Sequence, residues 1–376
     1  MTETLRTDPA RLAGFIGDSP VLDRVRGIAG PGEVYLVGGT VRDVLLGIDP
    51  VDIDLATGFD PSGLGLELDP RALVHERFQT VDLVVEGARV DIARARSERY
   101  PAPGALPQVR PAPIEEDLGR RDFTINAIAV PLVSPEIMLD PHGGQADLER
   151  GVIRALHRKS FLDDPTRSLR AARYAARFGY DLAPQTADLL ADVDLDTVSA
   201  DRVAAELELV AGEETAVEAL RLISRWGLIE VGEDRLDLAE AALELVEEPA
   251  WIGIAGRREI VRAAIAIDRD RVARELGEVP PSPFIAVELA DRFTGADLLL
   301  ARSMGITWLD DYRSEWSRVK LEITGADLLA AGVPEGPAIG IGMSAALAAK
   351  LDRGVAGADE ELRIACEAAA RDSDRD

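Results

Sequence analysis

The sequence predicts an α+β protein, with a mixed α/β N-terminal part followed by an all-helical remainder. Three observations predict it. The run Glu33–Val37 passes straight into Gly38-Gly39 and then into a helical pattern. Val51–Ala56 alternates apolar residues with acids, the two-residue period of a strand. Beyond about residue 160, helical spacing prevails to the end of the chain.

Taken in order, residues 1–30 read as a short helix and a loop. Thr40 is placed to N-cap a helix over Val41–Leu46, which Gly47 closes. Thr80–Val85 and Arg89–Ala95 form a hairpin about Glu86-Gly87-Ala88. Residues 100–113 carry five prolines and read as an extended loop. Phe123–Val130 is apolar and ambiguous between strand and helix. Ile137–Leu139 reads as a strand ending in the turn Asp140–Gly144, and a helix starts at Asp147. The expected divisions are 1–150, 151–215, 216–320 and 321–376.

At 376 residues with 47% hydrophobic and 29% charged content, the chain is of the soluble, multi-domain class and is not disordered. Its apolar runs are too short to span a bilayer, and its first residues carry no secretory signal. Cys366 is the one cysteine, which excludes a disulfide framework within the chain, and the three histidines are too scattered for a metal cluster. These features predict a cytoplasmic protein with no membrane partner and no obligate protein partner. The net charge of −26 opposes nucleic-acid binding only globally. Residues 151–180 carry seven basic side chains against Asp163 and Asp164, so a local basic stretch sits in an acidic chain.

Four blocks carry possible chemistry. Gly38-Gly39-Thr40-Val41-Arg42-Asp43 joins strand to helix; its glycines admit a ligand close to backbone N–H groups, and a helix N-terminus favours phosphate. The alternative is a tight turn in which Arg42 pairs with Asp43. Asp52 and Asp54 lie two apart on a strand and so share a face, where paired carboxylates repel unless a cation sits between them. Two Mg²⁺ ions are the usual answer in nucleotidyl transfer, and they need a third carboxylate. Asp91 is the choice for it and Asp82, across the hairpin, the rival. In the charged run from Glu115 to Asn126, Arg121-Asp122 is either part of a helix start or a fixed ion pair that orients a ribose. Finally, Asp164, Arg167, Arg170 and Arg173 are spaced along one side of a helix, where acid and arginine together can match a base edge. A solvated arginine face is the alternative.

These blocks, in order LVGGTVRDVLLG, DIDLAT, EEDLGRRDFTINAIA, LDPHGGQADLERGVIRAL and DDPTRSLRAARYAARFGY, resemble the class II tRNA nucleotidyltransferase (CCA-adding) and bacterial poly(A) polymerase family. The resemblance is continuous over about 33–180 and weaker through 200–230 and 321–351. It implies a nucleotidyltransferase head of the DNA-polymerase-β-like kind, then helical neck, body and tail. It implies addition of CMP and AMP, from CTP and ATP, to the tRNA 3′ end with Mg²⁺ as cofactor. By the same resemblance Gly38, Gly39 and Arg42 hold the triphosphate, and Asp52 and Asp54 ligate Mg²⁺; Asp91, chosen above as the third carboxylate, is expected to complete the site. Arg121 and Asp122 contact nucleotide and tie head to neck. Asp164 and Arg167 select CTP or ATP by the Watson–Crick edge, and Arg170 and Arg173 bind nucleotide.

The chain departs from the family pattern at Gln79, where glycine is common, and at Asp82, where a neutral residue is usual. CC-addition, A-addition and poly(A) synthesis share these blocks and stay open as alternatives, as does a non-catalytic RNA-binding homologue.

Overall fold

The computed structural model of the protein describes residues 7–31 and 33–373. It forms two compact units, the first ending at Glu230 and the second beginning at Val231. The first opens with two helices, α1 (Pro9–Asp18) and α2 (Pro20–Ala29), where the sequence suggested one. Each starts with proline behind a side-chain cap, Asp8 and Ser19.

Then follow β1 (Val34–Val37), α3 (Gly38–Leu46), β2 (Asp52–Thr57), α4 (Ser62–Leu68), β3 (Leu73–His75), β4 (Thr80–Val85), β5 (Ala88–Arg94) and, later in the chain, β8 (Ala129–Pro131). These strands build one sheet in the order β3-β4-β5-β2-β1-β8. Only β2 and β5 run parallel; the other neighbours are antiparallel. Glu86 and Gly87 turn the β4–β5 hairpin with φ of 51° and 83°, the two positive values of a type I′ turn.

One face of the sheet carries Ile53 and Leu55, Val90 and Ile92, and Val81 and Leu83, all buried in the main core with residues of α1 to α4. Burial of each such side chain stabilises by about 2 kcal/mol. The pleat therefore sends Asp52, Asp54 and Asp91 to the opposite face, because a one-residue slip would put the carboxylates into the core.

The proline-rich stretch is more ordered than predicted. β6 (Arg96–Arg99) pairs with β7 (Gln108–Pro111) as a separate two-stranded ribbon. Edge strands tolerate proline, and Pro111 ends this one. α5 (Ile114–Gly119) follows. The ambiguous Phe123–Val130 is neither a full strand nor a helix. Phe123 bridges Ala155, Thr124–Asn126 make one 3₁₀ turn, and Ala129 starts β8. The strand expected at Ile137–Leu139 is reduced to a bridge between Leu139 and Ala129. Thr40 is no N-cap. The helix starts at Gly38, and the Thr40 hydroxyl instead donates to the Asp52 carbonyl (3.1 Å) and accepts from the Asp54 amide (2.7 Å), pinning β2 to α3. Gly47 closes α3 in the left-handed conformation, as expected.

The unit continues with α6 (Gly144–Arg150), β9 (Val152–Ile153), α7 (Ser160–Asp163), α8 (Thr166–Phe178), β10 (Asp181–Leu182), α9 (Pro184–Asp188), α10 (Ala200–Ala211) and α11 (Ala216–Arg225). The short parallel β9–β10 ladder interrupts the predicted helical region. α8 packs into the head core through Ala171, Tyr174 and Phe178. The second unit, in contrast, is helical throughout its described residues, from Glu233 to Ser373. Its C-terminal part gathers Ile323, Leu328, Ala346 and Ala365 into a core of its own, beside a fully buried Glu361 that takes a hydrogen bond from Lys350 Nζ at 2.6 Å.

Candidate nucleotide-binding cleft

A cleft of about 490 Å³ opens on the carboxylate face of the sheet, between the sheet and α8. Gly38, Gly39, Arg42, Asp54, Asp91, Arg121, Asp122, Asp164, Arg167 and Arg170 all line it. Asp52 and Arg173 do not.

The glycines are required by space. Gly38 has φ of 65°, and a Cβ there would lie 2.9 Å from an Arg121 nitrogen and 3.3 Å from Asp54 Oδ2. A Cβ on Gly39 would lie 3.3 Å from the same oxygen. The start of α3 thus lies against a carboxylate. Burial raises the Asp54 pKa, against the pull of Arg121, the Thr40 and Gly39 amides and Arg42.

Arg42 is 3% exposed. It donates to Asp43 Oδ1 (2.8 Å) and Asn126 Oδ1 (2.7 Å), and its guanidinium stacks on the rings of Tyr174 and Phe178 at 4.9 and 5.0 Å. The pairing with Asp43 considered from the sequence is present, and it fixes the arginine at the cleft wall. Tyr174 and Phe178 belong to a buried aromatic ladder with Phe123, Phe161 and Tyr180.

Arg121 and Asp122 are not paired with each other, contrary to one sequence reading. Arg121 donates two hydrogen bonds to Asp117 Oδ2 (3.2 and 3.0 Å). Asp122 accepts from Arg170 at 3.0 Å, from the Phe123 amide at 2.8 Å and from Asn126 Nδ2 at 3.0 Å. Burial raises the Asp122 pKa, but Arg170, Asn126 and Arg167 outweigh it and bring it to about 2. Neighbouring residues in sequence leave this 3₁₀ entry in different directions, so each finds its own partner. Arg170 also grips Glu206 of α10, and Arg173 turns to Glu213 and the Tyr174 ring, outside the cleft.

On the far wall, Asp164 Oδ1 is saturated. It accepts from Thr166 N (3.1 Å), Thr166 Oγ1 (2.6 Å) and Arg202 (2.9 Å). Arg167 donates to Ser160 Oγ (2.9 Å) and the Arg120 carbonyl (2.8 Å) and lies over the Tyr100 ring. It is held at the cleft by the protein itself and is not a solvated helix face.

The head domain of the poly A polymerase family matches residues 34–154. The CC-adding tRNA nucleotidyltransferase of Deinococcus radiodurans is 35% identical over 354 residues, covering 89% of either chain. The chain belongs to the tRNA nucleotidyltransferase family. The A-adding tRNA nucleotidyltransferase of Halalkalibacterium halodurans is 38% identical over 232 residues, 58% of this chain, which spans about half (53%) of that relative. Among solved structures, the Thermotoga maritima CCA-adding enzyme complexed with tRNA superposes with a TM-score of 0.69 at 25% identity, over 97% of this chain and 99% of that one. The family fold, a mixed α/β head followed by a largely helical remainder, is therefore the fold of this chain. No described helix is long and apolar enough to cross a membrane.

As a family member the chain is expected to hold a divalent cation, and its carboxylates fit one. Asp54 and Asp91 are register partners on β2 and β5. Burial raises the Asp91 pKa, and Asp82, Asp54 and Asp52 add to the rise. Asp52 Oδ1 is buried without a hydrogen bond, although Arg89 Nε approaches to 3.3 Å. An oxygen-ligand cation relieves such a like-charge group. Among the described residues, no three acidic, histidine or cysteine side chains are gathered closely enough to form a preassembled cage. Asp82, the rival third carboxylate, is the register partner of Asp91 on β4, but its side chain meets His75 Nε2 at 3.1 Å and lies outside the cleft.

The sequence missed Glu98, Tyr100 and Arg120, which also line the cleft. Tyr100 donates to Glu98 Oε2 (2.9 Å), and Arg120 bridges Glu98 and Asp117. Arg120 lies in the charged run from Glu115 to Asn126, whose density of charge is the signal for it; Tyr100 sits in the proline-rich stretch with no signal to single it out.

Proposed function

We propose that this chain adds CMP and AMP, from CTP and ATP, to the 3′ end of tRNA in a Mg²⁺-dependent reaction. One observation carries the reading: a single cleft brings the carboxylates Asp54 and Asp91 together with an acid–arginine pair, Asp164 and Arg167, on the opposing wall. The first set suits the reacting phosphates and the second a base edge.

Asp164 keeps Oδ2 as its open acceptor, since Oδ1 is filled. The amino group of cytosine or adenine donates to it, and Arg167 donates to the adjacent ring nitrogen. Uracil and guanine turn a carbonyl toward the carboxylate and are rejected, because a mismatched buried edge costs a few kcal/mol, about 10²-fold in selectivity. Arg42 and Arg121 place fixed positive charge beside Gly38-Gly39 for the triphosphate. Asp54, Asp91 and Asp52 would hold Mg²⁺, which when bound would supply charge neutralisation at the phosphates and a lowered pKa at the attacking 3′ hydroxyl. The neck arginines and the aromatic ladder keep the walls rigid, so the nucleotide meets a preorganised site.

CC-addition alone is the second reading, favoured by the full-length match to a CC-adding relative. The test is incubation of the chain with tRNA ending before CCA, in C-C, or complete, with each NTP singly and mixed. Addition of C, C and A in order supports the first reading. Arrest after C-C supports the second, and absence of any extension overturns both.

A further inference from the structure

A second depression, of about 260 Å³, lies where the start of β4, the end of β5 and the β6–β7 ribbon meet. Arg77, Arg94, Arg96 and Arg110 line it against a single acid, Glu76. Arg96 is committed to Glu98 and the Phe78 carbonyl. The other three make no ion pair among the described residues, in a chain with 68 acidic side chains. Arg94 Nε is wholly buried with no hydrogen-bond partner, while its Nη1 donates a long bond to Gln79 Oε1 at 3.4 Å. Asp60 feels the charge of Arg94 without pairing with it. An unmet buried N–H donor costs about 1–3 kcal/mol. Arginines left unpaired at one spot therefore mark a place for an external anion.

Phe78 decides which anion. It is 49% exposed at the rim, with the Arg77 guanidinium 5.4 Å from its ring centre. An exposed ring beside a cationic groove is how single-stranded nucleic acid is held, with base on ring and phosphate on arginine. We infer that this depression binds a backbone phosphate of the RNA substrate, with an adjacent base stacked on Phe78. The RNA occupant rests on the transferase reading; the anion site does not. Gln79, the departure from the family glycine, belongs to the wall and turns its carbonyl to Arg94.

The test is Arg77→Ala/Arg110→Ala, two exposed positions, and separately Phe78→Ala, each with its melting temperature. Binding is measured across a salt series with tRNA lacking CCA, with CTP and with inorganic pyrophosphate. The double variant is expected to bind tRNA about tenfold more weakly at low salt, with a log–log salt slope shallower by about one to two. Phe78→Ala is expected to weaken tRNA binding and leave the slope alone. CTP affinity and melting temperature are expected to stay unchanged. Unchanged tRNA affinity and slope overturn the inference, as does an equal loss of CTP and tRNA. Loss of pyrophosphate binding with tRNA binding retained also overturns it and gives the site to free phosphates. Failure of the transferase reading shows separately, as a wild-type chain that binds tRNA but adds no nucleotide to it from any of the four NTPs.

Discussion

Arg202 of α10 reaches Asp164 Oδ1 at 2.9 Å while its other terminal nitrogen donates to the Gly104 carbonyl at 2.8 Å. One arginine thus fixes both the base-reading acid and the proline-rich segment that carries Tyr100. Without it the Asp164 carboxylate keeps the two bonds from Thr166 but loses its one charged partner and its tie to the Gly104 segment. Arg202→Ala is therefore expected to lower discrimination of CTP over UTP by about tenfold, with Arg202→Lys recovering part of it. Competitive incorporation of the four nucleotides, read beside the melting temperature, checks this. Equal loss for all four nucleotides shows that Arg202 is structural only.

Asp54 and Asp91 are ionised at a cost to the fold, because burial raises both pKa values. A carboxyl whose folded pKa is raised destabilises the folded state as pH climbs past its unfolded value. Asp91→Asn is thus expected to melt higher than the wild type at pH 7 while losing transfer. Millimolar Mg²⁺ is expected to raise the wild-type melting temperature and move the variant less. Asp82→Asn, outside the cleft, is expected to keep most activity. A silent Asp91→Asn and an inactive Asp82→Asn reverse the assignment.

The Asp122–Arg170 pair ties the head to α8 and has the opposite sign. The Asp122 pKa falls from 3.8 to about 2 on folding, so its ionised form stabilises by about 2 kcal/mol. That contribution is fully present above the unfolded pKa near 4 and is lost as pH falls toward 2. Asp122→Asn is expected to lower the urea-unfolding free energy by about 2 kcal/mol at pH 6, with the gap closing progressively below pH 4. A gap of constant size from pH 6 to pH 3 rules out the ion pair as its source.

Local pattern made part of the site legible. The alternation through Asp52 and Asp54 set their common face, and the hairpin set Asp91 against Asp82; Asp91 also lies opposite Asp54 through the parallel β2–β5 pairing, which local pattern does not reveal. Side-chain partners were not legible, because they come from remote segments: Glu206 reaches Arg170 across 36 positions, and Arg202 reaches the Gly104 carbonyl across 98. Thr40 was misread because its hydroxyl serves a neighbouring strand in place of its own helix. The segment after Asp122 was ambiguous because it is wholly buried, which removes the polar alternation that separates helix from strand. The ribbon of β6 and β7 was hidden by prolines that occupy its edges and loop.

The closest packing in the cleft gives a last test. Gly38 and Gly87 both have positive φ, 65° and 83°, so alanine at either position costs about 1 kcal/mol in backbone strain. They differ in surroundings. A Cβ on Gly87 meets nothing within 4 Å, whereas a Cβ on Gly38 meets Arg121 at 2.9 Å and Asp54 at 3.3 Å. Gly87→Ala is therefore expected to lower stability by about 1 kcal/mol and leave nucleotide affinity alone. Gly38→Ala is expected to cost more and to weaken CTP binding at least tenfold, because the guanidinium and the carboxylate must move apart to admit the methyl group. Urea unfolding and CTP titration of the two variants separate strain from displacement. Equal CTP affinity in both would show that Arg121 and Asp54 yield without consequence, and that the glycine serves only the turn.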